Sequence, residues 1–153
     1  MSTTEDRSSD AGGTASAGKA DMKLEVIVIP VSDVDHAKEF YGSLGWRLDA
    51  DVAAGDNFRL VQLTPPGSEC SIQFGTGLTS AEPGSVQGLY LIVSDIEAAR
   101  AGLVARGAKV SEVFHAGAPG AQLDPEGTSS RLSGPDPDDN SYSTAMTVEE
   151  HRR

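Results

Sequence analysis

An internal repeat limits the folds open to this chain more than any other property of its sequence. Residues 31–48 align with residues 93–110 without a gap, so equivalent positions lie 62 residues apart. The identical pairs are Val31/Val93, Ser32/Ser94, Asp33/Asp95, Ala37/Ala99 and Gly45/Gly107. Chance is a poor explanation, because the matched positions have recognisable structural roles. A fixed period of this kind indicates two copies of one supersecondary unit.

Each copy begins with an apolar strand that leads into a helix. The strands are predicted over Leu24–Val31 and Gly88–Val93, and the helices over Asp33–Leu44 and Asp95–Arg106. The Ser-Asp pair after each strand offers side-chain oxygens to the amides at a helix start. The glycine after each helix suits a left-handed closing residue. The apolar residues expected to pack on a sheet are Phe40, Tyr41 and Leu44 in the first helix and Ile96, Ala99 and Leu103 in the second.

The strands after the helices complete the two units differently. In the first unit, Trp46–Val52, Phe58–Thr64 and Cys70–Gly75 give the order βαβββ. In the second unit, Lys109–His115 and Ser141–Val148 give only βαββ, so its last strand is expected to be missing. We prefer this register, in which residues 133–137 belong to the loop before the final strand. In the other register, Thr128–Ser133 is a strand and residues 136–140 form the turn before a further one.

Composition predicts one domain with short tails. A chain of 153 residues, 38% hydrophobic and 23% charged, suffices for one globular core. Residues 1–21 lack Val, Ile, Leu and aromatic residues, so they are predicted to be a disordered tail, and Met22 is a candidate translation start. The domain is expected over residues 22–148, with modules at about 23–77 and 86–148, followed by a charged tail at 149–153.

Charge and apolar content exclude several classes of partner. The formal charge of -11, from 23 acidic and 12 basic residues, argues against phosphate neutralisation and hence against nucleic-acid binding. No stretch approaches the roughly 20 consecutive apolar residues of a membrane span, and the N-terminus lacks the apolar segment of a secretory signal. The protein is therefore expected to be cytoplasmic. The single cysteine, Cys70, is expected to be a small core residue.

The residues of the repeat are similar to those of a known superfamily. The segments IPVSD at 29–33, AKEFY at 37–41 and IVSDI at 92–96 are typical of glyoxalase-like proteins. The chain therefore resembles the vicinal-oxygen-chelate superfamily of glyoxalases, bleomycin-resistance proteins and dioxygenases. The segment CSIQFG at 70–75 resembles an actinobacterial-type branch of it. The resemblance implies an α+β fold in which tandem βαβββ modules form a cupped mixed sheet.

The resemblance also implies where a divalent metal would be held. Members that use a metal present His or Glu side chains from equivalent strands on the inner face of the cup. At three of these positions this chain has Val26, Gly88 and Gln73, and the fourth belongs to the last strand. Valine and glycine offer no side-chain donor, and a glutamine oxygen is a weak one. We therefore predict no cofactor, with a displaced divalent metal as the alternative.

The candidate ligand-binding residues are the polar side chains on the inner strands, namely Arg59, Gln62, Gln73 and Tyr90. An apolar cup with a few hydrogen-bonding groups describes a small-molecule pocket, so the main hypothesis is a binding protein of bleomycin-resistance type. The alternative is a lyase, isomerase or dioxygenase of glyoxalase type, with His115 and Tyr142 as catalytic residues for proton transfer. An unpaired edge at a missing last strand would favour a homodimer.

Overall fold

The computed structural model describes residues 20–119, 131–138 and 144–149, and its architecture is α+β. Two helices lie in these residues, α1 at Val34–Ser43 and α2 at Ile96–Ala105. The strands of the first half are β1 Val26–Val28, β2 Arg47–Ala53, β3 Arg59–Thr64 and β4 Ser71–Thr76. Those of the second half are β5 Lys109–Val110, β6 Phe114–Ala116, β7 Arg131–Ser133, β8 Thr144–Ala145 and β9 Val148–Glu149.

Both helices begin and end where the repeat predicts. The Asp33 carboxylate accepts the amide of His36 at 2.9 Å, and the Asp95 carboxylate accepts that of Ala98 at 3.0 Å. The glycines that follow the helices, Gly45 and Gly107, have φ of 88° and 89°, a conformation that glycine adopts without steric cost. The predicted caps are therefore confirmed. Among the described residues, neither helix is long and apolar enough to cross a membrane.

The first half forms a four-stranded sheet in the order β1-β4-β3-β2. β1 runs parallel to β4, and the other neighbouring strands are antiparallel. Helix α1 packs against one face of this sheet, which we call the near face. The opposite face is called the far face. Because successive side chains of a strand point to opposite faces, each strand contributes to both.

The main core lies between α1 and the near face. Its members are Ile29, Ala37, Tyr41, Trp46, Val61, Leu63, Ile72 and Phe74. The ring of Tyr41 lies 4.9 Å from that of Trp46 and 5.9 Å from that of Phe74, within the usual range for aromatic pairs. Phe40 and Leu44 pack against the same cluster. The core role predicted for the apolar residues of the first helix is therefore confirmed.

The second half does not repeat the sheet of the first. Residues 88–93 were predicted to form a strand, but they are chain without strand pairing, so this prediction was wrong. A strand needs a hydrogen-bonded neighbour, and the described strands of this half pair among themselves: β5 with β9, and β6 with β7 and β8. Helix α2 has no fully buried residue. Its predicted core residues Ile96, Ala99 and Leu103 are half-buried.

The last strands follow the second of the two registers. Arg131–Ser133 pairs antiparallel with β6, where Ser133 lies opposite Phe114. The turn comes after this strand, at Gly134 with φ of 84°, and β8 and β9 then pair with β6 and β5. The preferred register, which placed residue 133 in a loop and left out the last strand, was therefore wrong. Residues 141–143 of the predicted final strand lie outside the described residues.

Candidate ligand-binding site

Four polar side chains lie on the far face of the four-stranded sheet: Gln62 and Thr64 of β3, and Ser71 and Gln73 of β4. They alternate along these strands with buried core residues of the near face, so they point to the opposite side. Gln62 and Gln73 are direct neighbours, because they lie opposite each other in the register. Thr64 and Ser71 are buried, whereas the two glutamines are half-buried.

β1 adds apolar side chains to the same face. In the parallel pairing of β1 with β4, Val26 lies opposite Ser71 and Val28 lies opposite Gln73. Residues opposite each other in a ladder share a face of the sheet, so both valines flank the polar set. All three residues of β1 are half-buried. The far face therefore combines hydrogen-bonding groups with aliphatic side chains.

A chain of hydrogen bonds joins the polar set to Asp49. Gln73 Nε2 donates to Gln62 Oε1 at 2.8 Å, and Gln62 Nε2 donates to Asp49 Oδ2 at 3.4 Å. Thr64 Oγ1 donates to the same carboxylate oxygen. The Ser71 and Thr64 hydroxyl oxygens lie 2.6 Å apart. Two branches of the network therefore converge on one carboxylate.

The carboxylate fixes the direction of these hydrogen bonds, because an ionised carboxylate only accepts. Thr64 gives its single hydroxyl hydrogen to Asp49, so Ser71 is the donor between the two hydroxyls. Gln62 turns its amide nitrogen toward Asp49, so its carbonyl oxygen accepts from Gln73. At the outer ends, Gln73 Oε1 and Ser71 Oγ therefore keep lone pairs that these bonds do not use.

Asp49 owes its position to a β-bulge. The register between β2 and β3 shifts between Leu48 and Ala50, so Asp49 is the extra residue of the bulged strand. Arg47 Nε donates to its Oδ1 at 2.6 Å. This bond, followed by those from Thr64 and Gln62, holds the pKa of Asp49 below its ordinary value. Asp49 was not among the predicted site residues, because strict alternation along a strand gives no signal of a bulge.

Arg59 does not lie with the two glutamines. It shares the near face with Val61, and its guanidinium donates to Asp51 Oδ2 at 2.9 Å and to Asp35 Oδ1 at 2.8 Å. Lys38 Nζ also donates to Asp51 Oδ2, at 2.7 Å. These four charged side chains link α1 to β2 and β3. The expected position of Arg59 beside Gln62 and Gln73 was therefore wrong.

We expect these charges to make the stability of the fold depend on pH. The hydrogen bonds from Arg59, then from Lys38, hold the pKa of Asp51 well below its ordinary value. A carboxyl group with a depressed folded-state pKa stabilises the fold above its unfolded pKa, about 3.9. That contribution is lost as pH falls through the folded-state pKa. Asp51→Asn should therefore lower the free energy of unfolding by about 1 kcal/mol at neutral pH, and by progressively less below about pH 4.

Urea denaturation across the acidic range measures this difference. Asp56→Asn is the matched control, because Asp56 lies in the exposed turn between β2 and β3, and it should leave stability nearly unchanged at every pH. A difference between Asp51→Asn and the natural chain that stays constant down to about pH 1 would contradict the assignment, since the carboxyl group of the unfolded chain becomes protonated over that range and the stabilisation must decline.

The other predicted site residues lie apart from this network or outside the described residues. His115 is on β6, and its Nδ1 lies 2.8 Å from the carbonyl oxygen of Gly134. Because a carbonyl only accepts, Nδ1 carries the hydrogen and, in the neutral ring, Nε2 carries the lone pair. Tyr90 is mostly exposed in the unpaired segment 88–93, not on an inner strand as expected. Tyr142 lies outside the described residues.

The positions that the resemblance links to a metal carry few donor atoms. Val26 ends in methyl groups, Gly88 has no side chain, and the amide of Gln73 is bonded to Gln62. In the part of the chain that the structure describes, no group of three or more His, Cys, Asp or Glu side chains is placed to hold a metal ion.

Comparison with known proteins gives the family. The model of the Glyoxalase/Bleomycin resistance protein/Dioxygenase superfamily matches residues 23–129. The chain therefore belongs to this superfamily, and the resemblance inferred from the repeat is confirmed. A search of curated proteins found no match. The domain bounds of 22–148 remain a prediction.

Two solved structures of other proteins are similar to this chain in sequence and fold. TnmS3, an antibiotic-binding protein from Streptomyces sp. CB03234, is 34% identical over 61% of this chain and 77% of its own, with a TM-score of 0.51. A superfamily member from Sphaerobacter thermophilus DSM 20745 is 28% identical over 85% of this chain and 98% of its own, with a TM-score of 0.52. Both comparisons agree with the α+β fold described above.

Proposed function

We propose that this protein binds a small molecule on the far face of its four-stranded sheet, without a metal ion. The observation that carries the proposal is the hydrogen-bonded network that joins Gln62, Gln73, Thr64 and Ser71 to Asp49, beside the aliphatic side chains of β1. Small-molecule sites are mainly apolar, with a few polar groups that fix the orientation of the ligand. The far face has this composition.

The direction of the network defines which ligand groups it recognises. Gln73 Oε1 and Ser71 Oγ are acceptors at its outer ends, so they pair with hydroxyl, amine or amide N–H groups. The Asp49 carboxylate, ionised because its pKa is depressed, favours a neutral or positively charged polar end over an anionic one. Val26 and Val28 suit an apolar body. The ligand class is therefore a partly apolar molecule that carries hydrogen-bond donors.

The comparisons support a binding protein. One similar structure is that of an antibiotic-binding protein, and the matched superfamily includes bleomycin-resistance proteins. A protein that holds an antibiotic protects the cell by sequestration and needs no reaction. We propose the same role here, for a natural-product antibiotic with the chemistry described above.

The donor set at the expected metal positions does not fit a divalent ion. The side chain of Val26 has no lone pair, and the neutral amide of Gln73 is a weak ligand that is already bonded to Gln62. We therefore assign no metal to the site. The alternative is an enzyme of glyoxalase type, with a displaced metal or with proton transfer by His115. Measurement of bound metal and of turnover distinguishes this alternative from a binding protein.

Titration with natural-product antibiotics, metal-free bleomycin first, tests the binding proposal by isothermal titration calorimetry. Gln73→Leu should weaken the binding of any antibiotic that the natural chain holds by about 5- to 100-fold, because a buried donor of the ligand loses its partner. Asn57→Leu is the matched control, since Asn57 is an exposed amide in the turn between β2 and β3. Equal effects of the two changes would place the site elsewhere, and no binder in a broad panel would count against sequestration.

The enzyme alternative makes a different prediction for metal content. Protein purified without chelators is offered nickel, manganese, iron, cobalt and zinc in turn, and elemental analysis measures the bound ion. Under the binding proposal no stoichiometric metal is expected. A stoichiometric ion, together with turnover of the methylglyoxal–glutathione adduct that is lost in His115→Ala, would replace sequestration by glyoxalase-type catalysis.

We also propose that the protein acts as a homodimer. Support comes from residues 86–93, whose large apolar side chains are exposed in a single copy. Contiguous exposed apolar surface of this kind marks interaction sites in soluble proteins. A mass of 15.9 kDa by light scattering, at concentrations from micromolar upward, would contradict the homodimer.

A further inference from the structure

The hydrogen-bonded network of the far face has one end whose chemistry is fixed. Amide and hydroxyl side chains can both donate and accept hydrogen bonds. The branch through Gln62 and Gln73 could therefore run in either direction, and so could the branch through Thr64 and Ser71. Both branches meet at the carboxylate of Asp49, which is ionised and accepts from each of them. The direction of the whole network is therefore decided at this residue.

Asp49 acts on the site through its neighbours. The β-bulge places it beside β3, and its carboxylate accepts from Thr64 and Gln62. The side chain of Asp49 is 16% exposed. The atoms that a ligand meets are those at the outer ends of the network, on Gln73 and Ser71. Asp49 is therefore a positioning residue, because it determines whether these outer atoms donate or accept.

Arg47 holds the same carboxylate from the other side. It lies opposite Thr64 in the register of β2 and β3, so it shares the far face. Its Nε donates to Asp49 Oδ1 at 2.6 Å, whereas both branches of the network donate to Oδ2. A guanidinium donates hydrogen bonds and never accepts them. Arg47 therefore requires an acceptor atom on its side of residue 49.

We propose that the pair of Arg47 and Asp49 determines the hydrogen-bond polarity of the ligand site. In the natural chain the pair makes Gln73 and Ser71 acceptors, so the site selects ligands that donate. This inference rests on the proposed function and deepens it. It assigns the choice of ligand to two residues that lie behind the atoms in contact with the ligand.

The substitution Asp49→Asn should reverse the network. The introduced amide has an acceptor oxygen and a donor nitrogen. With the oxygen toward Arg47 and the nitrogen toward Thr64 and Gln62, all three hydrogen bonds of the carboxylate are replaced. The opposite orientation keeps two of them and sets the nitrogen against the guanidinium. Gln62 then turns its carbonyl oxygen toward position 49, and Gln73 turns its nitrogen outward. The hydroxyl branch reverses in the same way.

Neutron crystallography of the deuterated protein measures this direction without a ligand. In the natural chain, a deuteron on Gln73 Nε2 should point to Gln62 Oε1, as the hydrogen bond between them requires. In Asp49→Asn, a deuteron on Gln62 Nε2 should point to Gln73 Oε1. Because an amide has nearly the shape of a carboxylate, the fold should be retained, and the same crystals check this.

Indole and quinoline are matched probes for the effect on binding. Both are bicyclic, and both are uncharged at about neutral pH, but indole donates through its nitrogen whereas quinoline accepts. Titrations followed by nuclear magnetic resonance should show that the natural chain binds indole about 5-fold or more tightly than quinoline. Asp49→Asn should reverse this order by a similar factor. A reversed network with an unchanged order of binding overturns the proposed role in specificity.

Two further variants separate the parts of the pair. Arg47→Leu keeps the carboxylate, so the natural direction should persist. The double variant Arg47→Leu/Asp49→Asn lacks the group that orients the introduced amide, so its reversal should be incomplete, and a complete reversal overturns the role of Arg47. Asp56→Asn is the matched control, because it makes the same chemical change in the exposed turn between β2 and β3. It should change neither the direction nor the order of binding.

The two measurements distinguish a failure of this inference from a failure of the proposed function. If both probes and the antibiotic panel fail to bind, the result counts against the proposed ligand site, whereas the neutron measurement depends on the chain alone. A network that keeps the natural direction in Asp49→Asn overturns the inference, even if the natural chain binds an antibiotic.

Discussion

Replacing Gly75 with alanine is expected to prevent β3 and β4 from pairing. A Cβ atom on Gly75 would lie 1.8 Å from the carbonyl oxygen of Arg59 and 2.7 Å from its carbonyl carbon. These are backbone atoms of the neighbouring strand, so no change of side-chain rotamer relieves the contact. Overpacking costs about 1–3 kcal/mol where side chains adjust, and we expect a larger loss here. Thermal unfolding should show a Tm lowered by at least about 10 °C, or soluble protein should be lost.

Gly42→Ala is the matched change for this prediction. Gly42 lies within α1, and apart from its chain neighbours and the backbone of its own helix a Cβ atom there meets no atom within 4 Å. Alanine favours the helix over glycine by about 0.5–1 kcal/mol, so this variant should be slightly more stable than the natural chain. If Gly75→Ala and Gly42→Ala unfolded at the same temperature, the close approach of β3 to β4 would be refuted.

Phe74→Ala is expected to have the next largest effect on stability. Phe74 is completely buried on the near face, where its ring contacts that of Tyr41. Truncation of such a phenylalanine removes its burial and leaves a cavity, at a cost of about 3–5 kcal/mol. Urea denaturation followed by circular dichroism measures this loss as a lower midpoint with a similar slope.

Val52→Ala is the control for Phe74→Ala, because it changes the strand propensity of an exposed position without removing a buried side chain. Val52 is 53% exposed on β2 of the same sheet, so alanine there should cost less than about 1 kcal/mol. A cost for Phe74→Ala no greater than that for Val52→Ala would mean that the core does not lie between α1 and the near face.

The helices were predictable because their signals are local. Asp33 and Gly45 lie at the two ends of one helix, and the interactions that cap it involve residues within the same turn. The residues of the near face could also be predicted from the sequence, since Val61 and Leu63 alternate with Gln62 and Thr64 along β3. The position of Arg59 follows from the same alternation, because it lies two residues before Val61, and a closer application of the pattern predicts the near face for it.

The structural features that were not predicted correctly from the sequence depend on contacts between distant parts of the chain. The apolar character of residues 88–93 is evident in the sequence, but pairing depends on which sheet edge comes near, and no local pattern specifies that. The bulge at Asp49 follows from the register of β2 against β3, since neither strand alone has an extra residue. Ser133 was assigned to a loop, whereas its place in a strand depends on pairing with Phe114 of β6, which lies nineteen residues earlier in the chain.

The unequal packing of the two repeats has a consequence for how the sequence can change. All members of the main core cluster lie between residues 29 and 74, and α2 contributes no fully buried residue. Substitutions in the first repeat therefore meet tight steric limits, whereas those on α2 meet few. Substitutions at the exposed positions of residues 95–106 are therefore expected to change the surface chemistry of the protein with little loss of stability.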